Sequence, residues 1–182
     1  MEQIPNLITI IRILSIVPIC WLLWVDSYQL AFILLVIAGL SDALDGFLAR
    51  RYGWFTKLGA VLDPIADKLF VVAVFLVFGL KGSLPWWLIA LVIGRDVVIV
   101  LGALVYRLVT GQLEMRPLIV SKINTGLQII LLAATLLHVA VIAWPQWFFV
   151  GLQWSVAVTT VLSGVAYVVL WSRYAFIKGS KA

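Results

Sequence analysis

The chain has 182 residues, of which 64% are hydrophobic and 12% charged, and its formal net charge is +5. So apolar a composition excludes an ordinary water-soluble globular domain and belongs to a chain dissolved in a bilayer. The positive balance does not mark a nucleic-acid binder, because the basic residues are neither gathered into a tail nor interleaved with aromatics; they flank apolar runs, where anionic lipid head groups are the simpler partner.

A spanning helix needs about 20 mostly apolar residues, so this length has room for roughly six joined by short loops. Apolar runs and their breakers predict spans near Leu7 to Val25, Leu30 to Leu48, Leu69 to Leu80, Trp86 to Leu108, Leu118 to Val141 and Trp147 to Trp171. The first is preceded by Glu2 instead of a basic cluster and is followed by no small-residue cleavage site, so a retained helix is expected, not a signal peptide. Cys20 inside it has no second cysteine to pair with and is expected in the core. The third run looks short because Asp63, Asp67 and Lys68 precede it; its helix is expected to continue back through them and to carry those charges into the membrane region.

Arg50, Arg51 and Lys57 fall between spans two and three, Arg107 and Arg116 between four and five, and Arg173, Lys178 and Lys181 after span six, while the opposite loops hold almost only Lys81. The positive-inside rule then puts both termini, and the loop beside the aspartates, in the cytoplasm. Trp86, Trp87, Trp144, Trp147 and Trp171 lie near span ends, where interfacial aromatic belts form, and Pro85 and Pro145 sit just before spans, where a missing amide proton costs little. With no repeat and no second domain, the expected architecture is a single all-α polytopic membrane domain over residues 1–182.

The stretch from Ser41 to Lys68, SDALDGFLARRYGWFTKLGAVLDPIADK, is the most informative. It holds Asp42 and Asp45, three apart at the end of one span, and Asp63 and Asp67, four apart at the start of the next, so each pair occupies one helix face. A short connection makes the two helices antiparallel neighbours and lets the four acids converge. Four like charges near a bilayer raise one another's pKa and are costly unless paired or metal-bound, a penalty that one or two divalent cations remove. Every candidate ligand is an oxygen and no histidine is near, so Mg2+ or Mn2+ is expected and not zinc. Two such ions can clamp a pyrophosphate during in-line displacement. Gly46 permits close approach of a ligand, and Arg50 is a planar donor suited to a phosphate. The alternative, a structural ion-pair network with Arg50, Arg51, Lys57 and Lys68, does not require two helically spaced pairs on adjacent helices.

The pattern D-x2-D-G-x2-A-R-x8-G-x3-D-x3-D resembles the signature of the CDP-alcohol phosphatidyltransferases, and Asp42, Asp45, Gly46, Ala49, Arg50, Gly59, Asp63 and Asp67 all match it. The resemblance implies the family's six-helix fold over essentially the whole chain and a homodimer. It implies that Asp42, Asp45, Asp63 and Asp67 ligate two metal ions, with Asp42 and Asp63 bridging, and that Asp67 is also the general base toward the acceptor hydroxyl. Gly46, Arg50 and Thr56 stand where the family contacts the CDP part of the donor lipid, CDP-diacylglycerol. The opening IPNLITIIR resembles the glycerophospholipid branch, in which the acceptor is phosphatidylglycerol or glycerol 3-phosphate, and IGRDVVIV and RPLIVSKINTGLQ look more like the cardiolipin-forming members.

Either acceptor carries a phosphate. Arg116 and Lys122, at the cytoplasmic start of span five, and Arg95, inside span four, are the candidates to bind it; for Arg95 a mutual ion pair with Asp96 is the competing reading. His138, near the far end of span five, is assigned no chemistry. A transporter using aspartates as an ion path predicts acids spread through the membrane depth, whereas all four gather in one helix pair. The expected location is a bacterial inner membrane, with the active site facing the cytoplasm.

Overall fold

The computed structural model describes residues 4–52, 59–110, 118–142 and 144–179, with side chains described at 11, 13–39, 41, 65–108, 118–142 and 144–172. The described residues form six α-helices and no strand: α1 Ile4–Trp24, α2 Tyr28–Tyr52, α3 Gly59–Leu80, α4 Trp86–Thr110, α5 Ile119–Ala140 and α6 Gln146–Gly179. The helix count matches the number of apolar runs. The third helix does extend back from Leu69 through Asp67 and Asp63 to Gly59, because helical hydrogen bonding is satisfied within the chain and does not stop where side chains become charged. For the same reason α6 continues past Trp171 to Gly179.

Among the described residues, three helices contain stretches long and apolar enough to cross a membrane: Trp86–Leu108, Ile119–Ala140 and Gln146–Ser172, of 23, 22 and 27 residues. Shorter apolar stretches lie in α1 and α2, at Ile13–Trp24 and Tyr28–Gly39. These helices are hydrophobic on their exposed sides as well as where they pack, as Leu14, Trp21, Val100, Leu104 and Val161 illustrate, a pattern suited to lipid.

The chain forms two compact units. The first comprises Met1–Leu84 and Leu132–Ala143. In it α1 packs against both α2 and α3, and Ile19, Leu23, Ala31, Val74, Phe75 and Phe78 are completely buried. Helix α1 ends in a left-handed residue, Asp26 at φ 62°, with Ser27 N–H donating to the Leu22 carbonyl at 2.9 Å and Asp26 N–H to that of Leu23 at 3.4 Å. This is a Schellman closure in which a short polar side chain takes the place usually held by glycine. Helix α3 closes the same way with Gly82 at φ 72°.

The second unit comprises Pro85–Leu131 and Trp144–Ala182. Its main contact is α4 on α6, with Leu88, Val92 and Val156 completely buried. Gly102 admits the Trp171 ring, which an added Cβ would overlap. Trp87, in the first turn of α4, and Trp154, in the third turn of α6, lie with ring centroids 5.5 Å apart.

Candidate functional site

Helix α2 carries Asp42 and Asp45 toward its C-terminal end, and α3 carries Asp63 and Asp67 within its first nine residues. Both pairs therefore lie on continuous helix, which is what their spacing of three and four requires if each is to occupy one face. Because α2 and α3 both pack on α1, the first unit holds the two aspartate-bearing helices on a common support. Of the four carboxylates only Asp67 has a described side chain: it is exposed, while its neighbour Ala66 is completely buried. A buried alanine beside an exposed acid fixes which face of α3 packs and which presents the carboxylate.

The side chains of Asp42, Asp45, Gly46, Arg50 and Asp63 lie outside the described set, as do Thr56 and Arg116 entirely. The donor set suits a hard divalent cation: the residues on these turns offer carboxylate oxygens, and the one histidine, His138, stands in the last turn of α5 with Nδ1 3.2 Å from the Ile142 carbonyl.

The cations expected for the acceptor belong to the second unit. Lys122 is exposed in the first turn of α5, whose Ser121 and Lys122 amides donate to the Leu118 carbonyl. Arg95 is 8% exposed. Its Nη1 donates to Asp96 Oδ1 at 2.6 Å, its Nη2 to Ser121 and Ser163 Oγ at 2.5 Å each, and its Nε to Ser163 Oγ at 3.2 Å. The guanidinium thus ties together α4, α5 and α6. The Asp96 pair was foreseeable from adjacency, but Ser121 and Ser163 were not, since serine in an apolar helix usually satisfies itself on its own preceding turn. Their only sequence signal is being polar on the packed faces of α5 and α6.

A buried polar column continues along the same helices. Asn124, completely buried, accepts at Oδ1 from the Thr159 and Thr160 hydroxyls, both at 2.9 Å, and Gln128 is buried one turn further on.

Among the described residues, the helices, three of them membrane-capable, and the two helical aspartate pairs define a class of helical membrane protein. The sequence model of the CDP-alcohol phosphatidyltransferases matches residues 2–175, and the chain belongs to that family. Among curated relatives, a chloroplastic CDP-diacylglycerol–glycerol-3-phosphate 3-phosphatidyltransferase from Oryza sativa is 36% identical, covering 91% of this chain and 56% of that protein. A probable CMP-forming cardiolipin synthase from Drosophila melanogaster is 32% identical over 91% of this chain and 56% of its own length. The CMP-forming cardiolipin synthase of Homo sapiens is 29% identical over 90% and 60%. The chain thus spans between half and two thirds of the length of these relatives.

Proposed function

We propose that this chain is a membrane phosphatidyltransferase acting as one domain, which moves the phosphatidyl group of CDP-diacylglycerol onto the hydroxyl of phosphatidylglycerol, giving cardiolipin and CMP. The observation that carries the reading is the pair of aspartate couples on α2 and α3 inside the family-matched region. Six spans with both termini and the aspartates on the cytoplasmic side, and a homodimer, complete it; the distribution of basic residues supports the orientation.

Asp42, Asp45, Asp63 and Asp67 would hold two Mg2+ or Mn2+ ions, which when bound would neutralise pyrophosphate charge. Gly46, Arg50 and Thr56 bind the CDP part, Gly46 by leaving room and Arg50 by pairing with phosphate. Asp67, exposed at the start of α3, takes the proton of the acceptor hydroxyl. The freed oxygen attacks the phosphorus that bears the diacylglycerol, the bond from that phosphorus to the CMP oxygen breaks, and CMP leaves with the displaced electron pair. Arg116, Lys122 and Arg95 receive the acceptor's phosphate, helped by the N-terminal turn of α5, where partial positive charge favours anions.

A second reading has glycerol 3-phosphate as the acceptor, and the rice relative's name favours it. The deciding experiment is CMP release by the purified full chain with CDP-diacylglycerol and Mg2+, offering phosphatidylglycerol and glycerol 3-phosphate separately. Release with phosphatidylglycerol alone is expected, release with glycerol 3-phosphate alone selects the second reading, and release with neither overturns both. Asp67→Asn should keep the fold while turnover falls by about 100-fold or more, the range of a lost general base; retained turnover removes Asp67 from that role.

A further inference from the structure

Lys122 is an exposed lysine on the first turn of a helix, and a long, mobile cation there binds a phosphate well only if that turn is fixed in place. The residue just before it is Ser121, and Ser121 is where the Arg95 guanidinium meets α5. From the same guanidinium, Nε and Nη2 both reach Ser163, a completely buried residue of α6. One cation therefore crosses three helices, and its α5 contact is next to the candidate phosphate ligand.

We propose that Ser121 and Ser163 are positioning residues for the phosphate-bearing alcohol: they orient Arg95 and, through it, hold the first turn of α5 where Lys122 can meet the acceptor. This rests on the phosphatidyltransferase reading above. Both serines bond the guanidinium that reaches the turn carrying Lys122, so their effect is expected on acceptor binding. A serine that only permits close helix packing would act on stability and leave the two substrates' constants alike.

The test is steady-state CMP release by the full chain in lipid nanodiscs, with wild type, Ser163→Ala, Ser121→Ala, the double variant and Ser163→Thr. Loss of a hydrogen bond to a charged group predicts about a 10-fold rise in the KM for the acceptor in each alanine variant, with the KM for CDP-diacylglycerol unchanged. Because both serines act through one guanidinium, the double variant should show less than the product of the two single effects. Ser163→Thr, which keeps the hydroxyl, should restore most of the acceptor KM. Should Ser163→Ala fail to fold, Ser121→Ala at its less buried position carries the test. Equal changes in both KM values, or a lowered melting temperature with both constants unaltered, overturns the positioning role while leaving the reaction in place. A wild-type chain that releases no CMP with any phosphate-bearing alcohol overturns the reading beneath it as well.

Discussion

Two cations, one in each unit, show two ways an apolar helical chain accommodates charge. Lys81 sits just past the end of α3, where its Nζ donates to the carbonyls of Leu23 at 3.2 Å and Trp24 at 2.8 Å and pairs with Asp26. Those carbonyls belong to the last turn of α1, where the helix supplies no further N–H and only the long 3.4 Å bond from Asp26 N–H reaches that of Leu23. Arg95 lies in the interior of α4, where every backbone carbonyl is already engaged by the helix, so its partners are side chains recruited from three helices. A lysine is enough where backbone acceptors are free and water is near. Inside the bundle it takes a planar guanidinium, whose several donors can be satisfied at once.

The comparison predicts unequal costs. Arg95→Ala removes the guanidinium and with it the Arg95–Asp96 ion pair, whose aspartate is 14% exposed at its side chain. Breaking this part-buried pair costs up to about 3–5 kcal/mol, the cost for a fully buried one, enough to lower the melting midpoint by several degrees for a chain of this size. The double variant Arg95→Met with Asp96→Leu removes both charges, and Ser121 and Ser163 can then turn to carbonyls of their own helices. It should recover more than half of the loss. Thermal denaturation in detergent measures both, and a double variant no better than Arg95→Ala would mean that the cation's shape, not its charge, holds α4, α5 and α6 together.

The same unit offers a finer test one turn away. Asn124→Leu removes the acceptor of two threonine hydroxyls and should cost about 1–3 kcal/mol. Asn124 Nδ2 and Gln128 Nε2 are both buried with no hydrogen-bond partner among the described residues, but only Asn124 also accepts the threonine bonds. Replacing Gln128 with methionine discards an unsatisfied donor, so Gln128→Met should change stability by less than about 0.5 kcal/mol or raise it. A loss as large as that of Asn124→Leu would show that the Gln128 amide has found a water.

These residues also mark how far the fold and the site were legible beforehand. Helix number and approximate positions follow from apolar runs, because a bilayer leaves the backbone few alternatives to the helix. The extension of α3 back to Gly59 was legible for the same reason. That both aspartate pairs lie on continuous helix was legible because their spacing is itself the helical signal. Lys81 entered the sequence reading only as the near-solitary positive charge on one side; its use as a cap for α1 depends on where α3 ends beside α1, which no local pattern encodes. Ser121, Ser163, Thr159 and Thr160 were illegible as a network because each acquires meaning only from the residue across the helix interface.

The smallest effect is expected at the exposed corner, and it carries a pH signature that Arg95 lacks. The hydrogen bond from Lys81, and after it that from Tyr28, holds the Asp26 carboxyl below its ordinary value of 3.8. The same bond to Asp26 holds the Lys81 ammonium above 10.5. A depressed acid contributes stability fully above its unfolded value and loses it as pH falls through the folded one; a raised base contributes fully below its unfolded value and loses it as pH rises through the folded one. The corner should therefore be indifferent to pH between about 4 and 10 and weaken outside that window. Asp26→Asn isolates the charge, since asparagine tolerates the left-handed backbone at φ 62° as well as aspartate does. Compared with wild type by melting temperature, it should be slightly destabilised at neutral pH, by well under half the shift of Arg95→Ala, and the difference should shrink as pH falls below the ordinary carboxyl value and through the depressed folded one. A difference that persists unchanged into acid would mean that position 26 serves α1 through the shape of its side chain alone, and that Lys81 draws its hold from the two carbonyls.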